Sequence, residues 1–220
     1  VLMRVARFRA DNFKDLERRT QDIPWELYLF KDAPLNFNVS CRHSRLYHSG
    51  AVEERARKAI TGRLARYGAE RRDAAPGRAS PVAQTAFVRL ENDVCALSLD
   101  ASGAPLYRRG YKTRVTEAPL RETLAAAILR EAGLEKYDTL LDPMGGSGTF
   151  SLEGAMLFQG RRPGLNRSFV FTGWPAFREA AFNHLVKGLH GEQQAKAVTG
   201  KTVIYRDKDP RAAGAARFNF

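Results

Sequence analysis

A strand that runs through a glycine-rich turn into a helix constrains this chain more than any other feature. Thr139-Leu140-Leu141 is a short apolar run, Asp142-Pro143-Met144-Gly145-Gly146-Ser147-Gly148-Thr149 follows it, and a helical pattern then continues to about Gly160. Such a turn is a nucleotide-type site by mechanism. Glycines let the backbone approach a ligand closely, and the start of the helix presents N–H groups with no partner inside the helix. Taken alone, Gly146 and Gly148 could equally serve tight packing of helix on strand. Tyr205-Arg206-Asp207-Lys208-Asp209 adds a second half, because it places acids just past the next strand, Val203-Ile204-Tyr205. A carboxylate there can accept hydrogen bonds from ribose hydroxyls. Asp207 is the better candidate for that role, since Asp209 stands before Pro210 and is expected chiefly to cap the last helix. The gap between Asp142 and Asp207 is much longer than the ~20 residues of dinucleotide folds, so an insertion lies between them. No lysine follows the glycines, which argues against a P-loop. The acidic start, Asp142-Pro143, and the missing third glycine argue against NAD.

The rest of the chain supplies a frame for this turn. Val1 to Phe8 reads as a strand, Asp11-Asn12 caps a helix to about Thr20, and Ile23-Pro24-Trp25 breaks it. Leu35 to Cys41 alternates with period two and is expected to be a half-buried strand. After Gly50, Val52, Ala56, Ala59, Ile60 and Leu64 share one face of a helix over 51–67. Residues 68–84, with Arg71-Arg72-Asp73 and Pro76-Gly77, read as a loop or disordered linker. Glu91-Asn92-Asp93 between two apolar runs signals a hairpin. In a helix near 118–132, Leu120, Leu124 and Ile128 repeat at i, i+4 and i+8, with Gly133 just past its end. Residues 161–175 read as irregular, and a helix follows from about Ala176 to Leu189. From 139 onward the order resembles the start of a doubly wound parallel sheet. The expected class is therefore α/β: a small α+β domain over 1–104, then the beginning of a Rossmann-like domain over 105–220.

Charge gives the second functional signal. The chain has 36 Lys+Arg against 24 Asp+Glu, a net of +12 over 220 residues. Residues 1–114 hold 22 basic and 13 acidic groups, a net of +9, and residues 115–220 a net of +3. An uneven basic excess points to a polyanion, nucleic acid before membrane, although a solvated arginine-rich surface would look the same. No apolar run approaches the roughly 18 residues of a membrane span. Cys41 and Cys95 fit a reducing, cytoplasmic setting, and neither they nor the four histidines show metal-ligand spacing. The chain has Val at position 1 in place of a start methionine and is read as cut at the front.

Asp142 to Thr149 resembles the first motif of the THUMP-containing RNA methyltransferases, usually Asp-Pro-Met-Cys-Gly-Ser-Gly-Thr. Within them, the chain is most similar to the large-subunit ribosomal RNA guanine-N2 methyltransferases. Tyr107-Arg108-Arg109-Gly110-Tyr111 with Ala118-Pro119-Leu120-Arg121-Glu122-Thr123-Leu124-Ala125 resembles the segment before that motif. Arg162 to Phe169 resembles the segment leading to Trp174-Pro175, and Asp207-Lys208-Asp209-Pro210-Arg211-Ala212 the Asp-x-Asp-Pro-Arg-Ala motif. Ser40 to His48 resembles the RNA-binding THUMP part more loosely. Gly145 stands where the family has cysteine and is expected to loosen the turn without abolishing binding. The family's Pro-Pro-containing loop, which holds the target base, has no counterpart before Phe220, so the resemblance leaves the catalytic residues unassigned.

The resemblance implies methyl transfer from S-adenosylmethionine to the exocyclic N2 of a guanine in ribosomal RNA. Alternatives are adenine-N6 methylation of DNA or RNA, and RNA binding without catalysis. Cofactor contacts are expected from Asp142, Pro143, Met144, Gly146, Ser147, Gly148, Thr149, Asp207 and Asp209, the loop acting largely through its backbone. Glu153, one helical turn beyond Thr149, either reaches back to the loop or faces solvent. RNA contacts are expected from Arg42, Arg45, Tyr47, His48, Lys58 and Arg63, the cations on phosphate and Tyr47 or His48 stacked on a base. Core packing is the competing role for Tyr47.

Overall fold

Asn92 and Asp93 both take left-handed backbone, with φ of 52° and 59°, as a tight two-residue hairpin turn with two positive φ angles requires. They join β3 (Gln84–Glu91) to β4 (Val94–Asp100). The computed structural model describes residues 1–70, 83–117, 119–164, 167–195 and 200–220, with side chains omitted over 190–195. Most of the expected linker over 68–84, together with Ala118, Leu165 and Asn166, therefore lies outside the described residues.

The hairpin is the middle of a four-stranded sheet of order β1-β4-β3-β2, flanked by β1 (Leu2–Arg9) and β2 (Leu35–Arg42). β1 runs antiparallel to β4, while β2 runs parallel to β3 through a helical crossover. Period two decides which face is buried. Gln84, Ala86, Val88 and Leu90 of β3 and Cys95, Leu97 and Leu99 of β4 all point to one side. Helices α1 (Phe13–Gln21) and α2 (Ser49–Tyr67) contribute Leu16, Val52, Ala56, Ile60 and Leu64 to the same core. Asn12 caps α1, its Oδ1 accepting from Asp15 N at 2.9 Å. α2 starts before Gly50 because His48 is its cap, Nδ1 accepting from Ala51 N at 3.1 Å. Trp25, fully buried, donates from Nε1 to the Thr20 carbonyl at 2.7 Å.

The chain divides into two compact units, Val1–Gly103 with Ser168–Arg178, and Ala104–Arg167 with Glu179–Phe220. The expected boundary at 104 thus meets a complication, because an eleven-residue piece of the second half belongs to the first unit. Its anchor is Trp174, which donates from Nε1 to Gln84 Oε1 at 2.7 Å and meets Tyr28 edge-on with ring centroids 5.3 Å apart. Aromatic residues spread through an irregular stretch carry no period, so no local pattern signals this return.

In the second unit, β5 (Thr139–Asp142) and β6 (Thr202–Tyr205) pair in parallel, with Asp142 opposite Tyr205. Helices α3 (Glu122–Glu131), α4 (Thr149–Phe158), α5 (Glu179–Ala195) and α6 (Pro210–Asn219) accompany them. Leu129, Leu134 and Phe158 form a small core with Leu140, Phe150, Leu157 and Val203 against it. The apolar repeat of α3 is not its buried face. Leu124 and Ile128 are 50% and 45% exposed, whereas Glu122, Ala125, Ala126 and Leu129 are buried. The physical reason is side-chain size: α3 packs through alanines, which allow close approach, and its Glu122 is buried beside Lys112. Gly133 follows α3 in left-handed conformation, φ 68°, as expected.

Trp174→Ala is expected to lower the unfolding free energy of the first unit by about 3 kcal/mol, measured by urea denaturation. An unchanged midpoint would show that the 168–178 segment does not stabilise that unit.

Candidate functional site

Parallel pairing brings the ends of β5 and β6 to the same edge of their sheet, and the loop between Asp142 and Thr149 continues the pairing beyond the strands. Arg206 N donates to the Asp142 carbonyl at 2.8 Å and Gly145 N to the Arg206 carbonyl at 3.0 Å. Gly148 N then closes the turn on the Gly145 carbonyl at 2.8 Å. Gly146 and Gly148 have φ of 55° and 85°, values that favour glycine. A side chain on Gly148 would also press on Ala216 and Phe220, both 3.3 Å from its Cβ position. Gly148 begins α4 with no side-chain cap, so the first N–H groups of the helix have no side-chain acceptor.

Two residues from the end of β6 hold Gly146. Its N–H donates to Asp207 Oδ2 at 2.8 Å, and its carbonyl accepts from the Tyr205 hydroxyl at 2.8 Å. The other oxygen of Asp207 accepts from Asp209 N at 2.9 Å. These backbone donors, that of Asp209 foremost, hold the Asp207 carboxyl below the usual carboxylate range. Asp209 caps α6 as expected, accepting from Arg211 N at 2.9 Å.

Two buried side chains, Asn219 and Lys112, brace the loop from behind, and a third, Glu153, anchors the segment that precedes it. Asn219 donates from Nδ2 to the Ser147 carbonyl at 3.1 Å and to the Arg114 carbonyl at 2.7 Å. Its Oδ1 accepts from Thr113 N at 3.1 Å and Arg114 N at 3.0 Å. Lys112 donates to Thr149 Oγ1 at 3.0 Å and to the Leu120 carbonyl at 2.8 Å, with Glu122 at 3.6 Å. Glu153 pairs with Arg109 at 2.9 Å and accepts from the Tyr111 hydroxyl. Burial pushes the Tyr111 phenol well up, so it remains a protonated donor, and burial also holds the Glu153 carboxyl above its ordinary range.

Ser147 and Thr149 are buried, and the Thr149 hydroxyl is engaged by Lys112, an arrangement that suits the backbone role expected of the loop. Asp142 is buried as well, and its Oδ2 accepts from Ser151 Oγ at 2.7 Å, tying strand to helix. Pro143 and Met144 are exposed, Met144 by 86%. Glu153 points to neither loop nor solvent but anchors the 109–111 segment. Gly145 does not loosen the turn: a Cβ there would collide with the Tyr205 ring and lie 3.0 Å from Asp142 Oδ2. Tyr205 fills the space in which a larger residue at 145 would need room.

The residues expected to touch RNA lie in the first unit and divide sharply. Arg63 is committed to Glu26 at 2.7 Å and to the carbonyls of Gln21 and Asp22, so it fastens α2 to the turn after α1 and drops out. His48 spends Nδ1 on its cap, and Arg45 pairs with Asp11 at 3.2 Å. Arg42 and Lys58 are exposed, and Tyr47, 81% exposed, is no core residue. Lys112, Tyr205 and Asn219 were missed as loop supports. Only Lys112 had a signal, its place beside the Arg109-Gly110-Tyr111 motif.

A strand, a clasped glycine loop and an acid past the neighbouring strand form an α/β arrangement whose donors and acceptors suit a nucleotide-type ligand. Residues 109–220 match the family of RMKL-like methyltransferase domains, UPF0020, and the chain belongs to that family. It is 34% identical to the ribosomal RNA large subunit methyltransferase K/L of Syntrophotalea carbinolica, over all of this chain and 31% of that protein. The K/L enzyme of Psychromonas ingrahamii is 35% identical over 79% of this chain and 23% of its own length. Among solved structures, a predicted N6-adenine-specific DNA methylase from Listeria monocytogenes matches with TM-score 0.80 and 27% identity, over 99% of this chain and 56% of that one. SMU.472 complexed with SAH matches with TM-score 0.74 and 29% identity at the same coverage. The chain thus spans about a third of the first curated relative and little more than half of these solved chains. The expectation of an α/β methyltransferase is borne out by this family. Among the described residues no helix is long and apolar enough to cross a membrane, and no cluster of potential metal ligands occurs.

The packing of Tyr205 over Gly145 predicts that Gly145→Cys destabilises the second unit by about 1–3 kcal/mol. In a Tyr205→Leu background the same change should cost much less, giving a coupling of about 1 kcal/mol or more in a denaturation cycle. Strict additivity would contradict this packing.

Proposed function

We propose that the chain carries the cofactor site, and part of the RNA-binding surface, of an S-adenosylmethionine-dependent methyltransferase acting on the exocyclic N2 of a guanine in ribosomal RNA. The observation that carries this reading is the uncapped start of α4 beside a glycine loop clasped by Asp207. The donor set suits the cofactor. Free N–H groups at a helix start match a carboxylate tail, and the remaining lone pairs of Asp207 match ribose hydroxyls. Gly146 and Gly148 keep the cradle free of side chains, while Lys112 and Asn219 keep it from collapsing.

When bound, the cofactor's sulfonium supplies an already electrophilic methyl group. The chain's own part is therefore positioning and exclusion of water. Residues 105–220, apart from the 168–178 segment that packs in the first unit, are assigned to that task. Residues 1–104 are assigned to RNA as a THUMP-like domain, supported by their share of the basic excess and by the ribosomal RNA relatives. Adenine-N6 methylation is the second reading, favoured by the description of the Listeria neighbour.

Calorimetry with S-adenosylmethionine tests the site. Asp207→Ala should weaken binding by about tenfold or more, as loss of a hydrogen bond to a charged group does, and Asp209→Ala should weaken it less. The reverse order would overturn the ribose assignment. Ribosomal RNA and DNA lacking the modification, incubated with the full-length enzyme and methyl-labelled cofactor, identify the acceptor by nucleoside analysis. Label in N2-methylguanosine is expected; label confined to DNA or to N6-methyladenine would sink this choice.

A further inference from the structure

The four-stranded sheet has a second face that α1 and α2 do not cover, and the strand registers decide what it carries. β1 is irregular at Val5, where the register with β4 shifts between Arg4 and Ala6. A one-residue shift changes which side chains share a face. Arg4 lies opposite Ser98 and Arg7 opposite Ala96, so two arginines at an odd spacing both stand on the uncovered face. On β3, Phe87 lies opposite Ser98 and Arg89 opposite Ala96. On β2, Asn38 lies opposite Phe87 and Ser40 opposite Arg89.

Two rows therefore cross the sheet, Arg4-Ser98-Phe87-Asn38 and Arg7-Ala96-Arg89-Ser40, and together they line one shallow cavity of about 750 Å³. Small side chains at 96 and 98 leave the Phe87 ring without a bulky neighbour on β4. Arg89 pairs with Glu91 at 2.8 Å on the same face. Among the described residues Arg4 and Arg7 have no ion-pair partner.

We propose that this face binds a single-stranded segment of RNA, Phe87 stacking on a base, Arg4, Arg7 and Arg89 contacting phosphates, and Asn38 and Ser40 hydrogen-bonding base edges. An aromatic on an open sheet, flanked by cations, suits an unstacked base and its backbone. A duplex buries its base faces and offers this surface nothing to stack. The cationic rows favour a polyanion over an apolar protein partner. The inference rests on the RNA reading given under Proposed function and names a surface other than the 42–48 segment.

Fluorescence anisotropy of a labelled single-stranded RNA, at low and rising salt, tests it with calorimetry of the cofactor as a control. Phe87→Leu keeps an apolar residue in place and should weaken binding by about tenfold through the missing stack. Arg4→Ala with Arg7→Ala, both on the exposed edge strand, should reduce the salt slope by about 0.7 for each phosphate no longer neutralised. Cofactor affinity and the unfolding midpoint should not move in any variant. Full affinity in these variants, or duplex RNA bound as tightly as the single strand, would overturn the sheet-face proposal while leaving the RNA reading intact. No RNA binding by the unmodified chain at low salt would overturn both.

Discussion

Gly146 is gripped from both sides by the strand next to its own: its N–H by Asp207 at 2.8 Å and its carbonyl by the Tyr205 hydroxyl at 2.8 Å. The shape of the glycine loop, and with it the candidate site, depends on that grip. It is possible only because β5 and β6 run in parallel, which puts both strand ends at one edge, and because their register sets Asp142 opposite Tyr205. A one-residue slip would turn Tyr205 to the other face. The loop would then lose the hydroxyl that fixes its carbonyl and the ring that packs over Gly145. Glycines that reach positive φ cheaply are also free to leave it, so the loop needs external partners to hold one shape. Asp207, Tyr205, Asn219 and Lys112 are those partners.

The elements of both units are largely legible in the sequence, because strands and helices advertise themselves by period. The hairpin at Asn92-Asp93, the cap at Asp209 and the left-handed Gly133 all follow from local rules. What the sequence does not disclose has a common cause: interactions between residues far apart. Asn219 reaches Ser147 across 72 positions and Trp174 reaches Gln84 across 90. The buried face of α3 escapes a hydrophobicity argument because Leu124 and Ile128 outweigh Ala125 and Ala126, while the packing selects for small side chains and a paired Glu122. In the candidate site the loop and its acid can be read directly. That Asp142, Ser147 and Thr149 are buried cannot be read, because those residue types occur as readily on surfaces.

Arginine shows the same limit. A net of +12 points to a polyanion, but the charge serves two purposes in the first unit. Arg63 with Glu26 and Arg55 with Glu17 at 2.8 Å join helix to neighbour. Arg4 and Arg7 join nothing among the described residues and stand together only because β1 shifts register at Val5. Counting cations cannot separate the two groups; strand register and ion-pair geometry can.

Hydrogen–deuterium exchange with and without S-adenosylhomocysteine tests most directly whether the clasped loop is the cofactor site. The amides of Gly146 to Ser151 should slow on binding, and those of the four-stranded sheet should not change. Binding that leaves the loop amides unchanged and slows exchange elsewhere would contradict the assignment.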